Sequence, residues 1–202
     1  MKLLESDPFV TIAIDSTTET FCLNEAQNMH RHLTKLFPTD PTIQPVERYK
    51  TWNIGKISVW WWLRHIAKEQ ILRIIRVPFK DDYRIRGDVD DLVIKLMRNG
   101  LLYHIQVRTR TTDIPVAPEH KFHMDSISPM VIYVYVTYDP RTFTSSIVGF
   151  ANWDRLKTTI TEIRGSGVDE HILHIPGEFE IAIKNMGSIN RAVEWMKGTS
   201  NA

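Results

Sequence analysis

Apolar and polar positions along this 202-residue chain recur with two periods. Alternation every second residue marks strands, and recurrence at three and four residues marks amphipathic helices. Phe-Val-Thr-Ile-Ala-Ile at 9–14 reads as a short strand. Phe21, Leu23, Ala26, Met29, Leu33 and Phe37 follow near-helical spacing and predict a helix over 18–37. Pro38, Pro41 and Pro45 end that helix and make 38–46 a connector. A second helix is expected from a cap at Asn53 or Ser58 to about Gln70, with Val59, Trp62, Leu63 and Ile66 as its apolar stripe. Trp60, Trp61 and Trp62 point three ways on such a helix, so at least one should lie outside the core. An exposed indole there could stack on a base, and a ring partly buried against the sheet is the plainer alternative.

Further along, 71–77 reads as a strand, 78–87 as a polar connector, and 91–108 as a hairpin. The ten residues after Arg108 look like a loop by composition. Val-Ile-Tyr-Val-Tyr-Val-Thr-Tyr at 131–138 is apolar on both faces, as a central strand should be. Asp139-Pro140 breaks it. A strand over 144–150, a helix over 153–163, a turn at 165–167, a weaker strand over 171–175 and a closing helix over 189–196 complete the pattern. The fold class expected is α/β, a mixed central sheet flanked by helices, with 1–46 as an amino-terminal extension of strand plus helix and 47–202 as the core. There are no internal repeats or low-complexity segments.

The hairpin carries the chemistry. Asn99-Gly100 favours a two-residue type I′ turn. Paired numbers then sum to 199, which sets Asp91 opposite Arg108. Alternation places Asp91, Val93, Lys95, His104, Gln106 and Arg108 on one face, and Leu92, Ile94, Leu96, Tyr103, Ile105 and Val107 on the other. Asp91, Gln106 and Arg108 thus form a small polar cluster, which is either a site or a cross-strand ion pair with a hydrogen-bonding neighbour.

Composition changes this picture in two ways. Cys22 is the lone cysteine, which excludes an internal disulfide framework and a cysteine zinc cage. The amino-terminal residues lack a signal-peptide core and no apolar run reaches the length of a membrane span, so a cytoplasmic protein without a membrane partner is expected. Net charge is only +1, but 47–110 holds 14 Lys or Arg against 7 Asp or Glu. A local excess of that sign suits a polyanion, and it also suits an ordinary solvated surface.

A helix opened by Gly55 and Ser58, a strand, Gly-Asp-Val-Asp-Asp91-Leu-Val, a hairpin and Ile-Gln106-Val-Arg108-Thr resemble the PD-(D/E)XK nuclease superfamily. The likeness is nearest to the branch, including some intron homing endonucleases, whose second strand reads roughly Ile-Gln-Val-Lys-Thr. The hydrophobic strand, the Asp-Pro turn, Ile-Val-Gly149-Phe and the helix after it extend the resemblance over about 53–180. It implies a restriction-endonuclease-like core and Mg²⁺-dependent hydrolysis of DNA phosphodiester bonds. On that resemblance the catalytic positions are Asp91, Gln106 and Arg108. The metal ligands would be Asp91, Gln106 and the carbonyl of Val107. Lys56, Arg64, Lys68, Arg84, Arg86 and Arg110 would bind DNA, and a homodimer is compatible with it. Two departures stand out. Arg108 occupies the lysine position, and an arginine keeps its proton. No glutamate stands near Val59, where the family's early helix has one. Glu69 lies about three turns further on, and Asp88 or Asp90 would have to supply a loop carboxylate. The alternative is a catalytically degenerate nuclease fold serving as a DNA-binding or protein-interaction module.

Other candidates carry less. His120 with His123, and His171 with His174, have the spacing of one helical face but no evident third ligand. His30 and His32 read as surface residues, and Cys22 as a small buried hydrophobe. Gly165 and Gly167 lack the context of a phosphate loop.

Overall fold

The computed structural model describes residues 1–5, 9–41, 43–76, 92–112, 130–151 and 189–199. In chain order these form β1 (Lys2–Glu5), β2 (Val10–Ala13), α1 (Ser16–Leu36), α2 (Val46–Ala67), β3 (Leu72–Arg76), β4 (Leu92–Leu96), β5 (Leu102–Thr111), β6 (Val131–Asp139), β7 (Thr144–Ala151) and α3 (Ile189–Lys197). The seven strands make one mixed sheet in the order β1-β2-β7-β6-β5-β4-β3. Of its pairings only β5 with β6 is parallel. The α/β class read from the pattern is the class observed. No described helix is long and apolar enough to cross a membrane.

β6 sits in the middle because β-branched and aromatic residues occupy both of its faces, and only a strand with neighbours on each side and cover above and below can bury them. Residues 131–136 are all buried. On one face, Leu92, Ile94, Leu96, Ile105, Val107, Ile132, Val134 and Val136 join Ile54, Val59, Trp62, Leu63 and Ile66 of α2 in a single core. α3 completes that layer. Its Ala192 and Met196 are buried, and the Trp195 ring meets Tyr103 edge-on at 5.3 Å and Phe150 at 5.5 Å. Lys197 pairs with Glu69 at 2.8 Å, which ties the end of α3 to the residues after α2.

α2 approaches the sheet most closely at Gly55. A Cβ built there would stand 1.8 Å from Thr109 Oγ1 and 2.9 Å from Thr109 Cβ and Cγ2. Glycine is therefore required by contact with β5, although it weakens a helix interior.

α1 is capped by Asp15, whose Oδ1 accepts the Thr18 N–H at 2.8 Å and whose Oδ2 accepts from the Met1 ammonium. The hydrogen bond from the ammonium, then that from Thr18, lowers the Asp15 carboxyl to about 2. A lowered acid pKa stabilises the fold above the ordinary carboxylate range and ceases to do so as pH falls through about 2. Asp15→Ala is expected to lower unfolding free energy by about 1 kcal/mol, within the usual range for a lost N-cap. Urea unfolding at neutral pH checks the size, and carboxyl NMR titration checks the pKa.

Several expectations are corrected. α2 begins at Val46 behind an N-cap Pro45 with no side-chain cap, not at Asn53 or Ser58. Those two residues are buried inside the helix, with their polarity spent elsewhere: Asn53 Nδ2 donates to the Cys22 carbonyl at 3.2 Å, and Ser58 Oγ to the Ile54 carbonyl at 2.7 Å. β5 continues through Thr109–Thr111, expected as loop, because Thr109, Arg110 and Thr111 pair with Val136, Thr137 and Tyr138 and both threonines are β-branched. β1 had no clear signal. The segment read as an amino-terminal extension supplies β1 and β2 to the same sheet, β2 pairing with β7 from Val10↔Ile147 to Ala13↔Thr144.

The hairpin loop also differs. Met97–Gly100 forms a four-residue connection in which the Gly100 N–H donates to the Leu96 carbonyl at 2.9 Å and the Leu96 N–H to the Leu101 carbonyl at 3.0 Å. Gly100 has φ of 70°, while Asn99 is outside the positive-φ region. Asn99 instead uses its Oδ1 to accept the Leu101 N–H at 3.0 Å. A type I′ turn needs positive φ at both central residues, and four-residue loops are usually built differently. Paired numbers consequently sum to 197, as in Leu92↔Ile105 and Val93↔His104, not 199.

The expected connector 78–87, helix 153–163, turn 165–167 and strand 171–175 lie outside the described residues. So do Arg84, Arg86, Asp88, Asp90, Asp91, His120, His123, His171 and His174.

Candidate functional site

A register shift of two residues keeps every side chain on its expected face. Val93, Lys95, His104, Gln106, Arg108 and Arg110 share the face opposite α2, and the parallel pairing of β5 with β6 adds Tyr133, Tyr135 and Thr137 to it. Arg73, paired with Lys95, belongs to the same face. Among the described residues no helix packs on this side. Gln106 is 7 % exposed, Tyr133 and Tyr135 are buried, and Arg108 and Arg110 are half-buried. The Arg108 guanidinium lies over the Tyr133 ring, 5.5 Å from its centroid. Such packing fixes the planar guanidinium against the sheet. Arg73 and Lys95 are exposed.

Backbone direction matters for the Val107 carbonyl. The bond from Leu96 to Leu101 shows that odd-numbered residues of β5 turn their N–H and C=O groups toward β4, and the His104 N–H to Met130 carbonyl bond at 2.8 Å shows that even-numbered ones turn toward β6. Val107 therefore presents its backbone to the β4 side, beyond the last described pair, Leu92↔Ile105. Its side chain is buried on the helix-bearing face.

The expected DNA contacts divide. Arg110 lies in line with Arg108 and Gln106. Lys56 and Arg64 belong to α2, and Lys68 is its C-cap, so these three sit in the helix layer on the other side of the sheet. Arg64 is exposed and its guanidinium lies 5.5 Å from the Trp60 centroid. Trp61 stacks on His65 and Trp62 is buried, as three directions on one helix require. Arg73 joins this face only through the pairing of β3 with β4, which alternation within either strand does not fix.

No group of three His, Cys, Asp or Glu side chains among the described residues is placed to hold a metal ion. Cys22 is buried, and burial, only partly offset by the Lys50 charge, pushes its thiol up to about 12. It cannot serve as a nucleophile near neutral pH. A groove of about 630 Å³ lies along α1, lined by Gln27, His30, Arg31, Thr34, Lys35 and Val46. It belongs to the helix layer and shares no residue with the sheet-face cluster. Comparison with known protein families, with curated proteins and with solved structures gave no match for this chain.

Proposed function

We propose that this chain acts on DNA through a nuclease-type core, as a Mg²⁺-dependent endonuclease with the variant arrangement Asp91, Gln106, Arg108. The observation that carries this reading is the charge of β3, β4 and β5. Their five, five and ten residues include Arg73, Arg76, Lys95, Arg108 and Arg110 and no Asp or Glu. Among the described residues, exposed Arg73 and Lys95 lie on the same sheet face as Arg108 and Arg110, and cations grouped in this way attract a phosphate backbone. The layout also supports it, since the helix, strand, hairpin, strand, strand order behind the resemblance appears as the consecutive neighbours β3-β4-β5-β6-β7 with α2 packed on them.

The donor types fit a hard cation: the Val107 carbonyl and the Gln106 amide oxygen come from β5, and Asp91, immediately before β4, would bring the carboxylate. When bound, Mg²⁺ supplies charge neutralisation at the phosphoryl oxygen and a more acidic attacking water. Arg108 would hold a phosphate oxygen with its fixed fork of donors. It cannot take the proton of the attacking water, so residue 108 is not the base. Arg110, Lys95 and Arg73 would hold the flanking phosphates. Lys56, Arg64 and Lys68 would engage the same DNA only if it passed around the sheet edge, and Arg84 and Arg86 complete the set expected to track the backbone. A cytoplasmic setting fits the buried, unpaired thiol of Cys22.

DNA affinity as a function of salt tests this surface. The pair Arg73→Glu and Lys95→Glu is expected to weaken binding at least tenfold and to flatten the slope of log affinity against log salt by about 2, near 0.9 per lost phosphate contact. The pair Arg64→Glu and Lys68→Glu should leave both nearly unchanged. Equal losses from the two pairs, or binding that ignores salt, overturn the assignment.

A second reading retains DNA binding without hydrolysis. Arg108 in place of lysine favours it, as does α2, which packs on the face away from Gln106 and Arg108 and so brings no carboxylate to them.

A further inference from the structure

The helix-bearing face ends in a polar row. Across the sheet, Thr111 of β5 pairs with Tyr138 of β6, and Tyr138 with Ser145 of β7. Thr109 precedes Thr111 by one strand repeat on the same face. The Thr109, Thr111 and Ser145 Oγ atoms and the Tyr138 hydroxyl are buried without a hydrogen-bond partner among the described residues. Three of these residues are almost fully enclosed, with exposures of 2 % for Thr109, 2 % for Tyr138 and 0 % for Ser145. Thr111, at one end of the row, is half-buried.

Polarity continues above the sheet. Lys50 of α2 pairs with Glu19 of α1 at 2.7 Å and with Glu47 at 3.7 Å. Burial, followed by the Glu19, Cys22, Glu47 and Asp139 charges, pushes the Tyr138 hydroxyl up to about 12, so it remains a neutral donor and acceptor. Buried hydroxyls without partners are destabilising and uncommon, and four in one layer need a common explanation. The partner must be small, must both donate and accept, and needs no charge, since every member of the row is neutral. Water meets each requirement.

We propose that the layer between α1, α2 and the β5–β6–β7 end of the sheet is a binding site for ordered internal water, held by Thr109, Thr111, Tyr138 and Ser145. Half-buried Thr111 marks its solvent side. The site is on the opposite face from Gln106 and Arg108 and does not depend on the DNA reading.

Tyr138→Phe and Ser145→Ala each remove one oxygen and little else, so the sign of the stability change is diagnostic. Removing a hydroxyl that binds water is expected to lower Tm by about 2 to 4 °C, the usual equivalent of one lost hydrogen bond in a chain of this size. A rise in Tm for both variants would mean that the hydroxyls are true orphans and would overturn the proposal. Wild-type protein gives an independent readout through water-selective nuclear Overhauser spectra. Long-lived water contacts are expected at Tyr138 and Ser145, and their absence from both positions contradicts the site even if a variant fails to fold.

Discussion

Gly55→Ala is expected to destabilise the protein, although alanine is the better helix former by about 0.5 to 1 kcal/mol. The new Cβ would fall 1.8 Å from Thr109 Oγ1. Rotating Thr109 offers no escape, because its Cγ2 and Cβ are each only 2.9 Å from the same point. Either α2 lifts from β5 or the strand bends, and both open the core formed by Ile54, Val59, Leu63, Val107 and Val136. Overpacking of this kind costs about 1 to 3 kcal/mol, which exceeds the propensity gain. Urea denaturation should therefore show a lower midpoint for Gly55→Ala, and Gly55→Leu should give no folded protein. Thr109→Ala removes Oγ1 and Cγ2 and should partly rescue Gly55→Ala, giving a favourable coupling in a double-mutant cycle. A Gly55→Ala protein as stable as wild type would show that α2 and β5 are not in this contact.

The sequence reading succeeded where burial follows a simple period. β6 was legible because its apolar residues fill both faces, and α1 because Ala26, Met29 and Leu33 recur at helical spacing on its packed side, although Phe21 of the expected stripe is exposed. It failed where one residue type serves two purposes. Asn53 and Ser58 look like caps, yet each satisfies its side chain inside α2, and nothing in a local window separates these uses. Asn99-Gly100 signals a tight turn, but the side chain of Asn99 takes the Leu101 N–H and a longer loop results. The face assignment of the hairpin survived that error because two residues is one full strand repeat. The register itself did not, since the described pairs sum to 197 and not 199, while the expected pairing of Asp91 with Arg108 involves a residue outside the described ones. The separation of Arg108 and Arg110 from Lys56, Arg64 and Lys68 was beyond the sequence altogether. It depends on which side of the sheet α2 covers, which the Gly55 and Thr109 contact decides.

Asp91→Ala is expected to have the largest effect on activity. Val107 and Gln106 offer neutral oxygens only, and a divalent ion on β5 needs an anionic ligand to compete with water. Arg108 and Arg110 add positive charge to β5, which a cation bound there would need a carboxylate to offset. Its removal should reduce cleavage by about 100-fold or more, taking the loss of one charge-stabilising group as the lower limit. On the proposed reading DNA affinity at fixed salt should change much less, because the cations would make the phosphate contacts. The direct measurement is supercoiled plasmid incubated with wild-type and Asp91→Ala protein in Mg²⁺ and in Mn²⁺, with chelator controls. The predicted result is metal-dependent nicking by wild type and its loss in Asp91→Ala; equal nicking by the two proteins, or none by wild type with either metal, would contradict the assignment of this chain as an endonuclease.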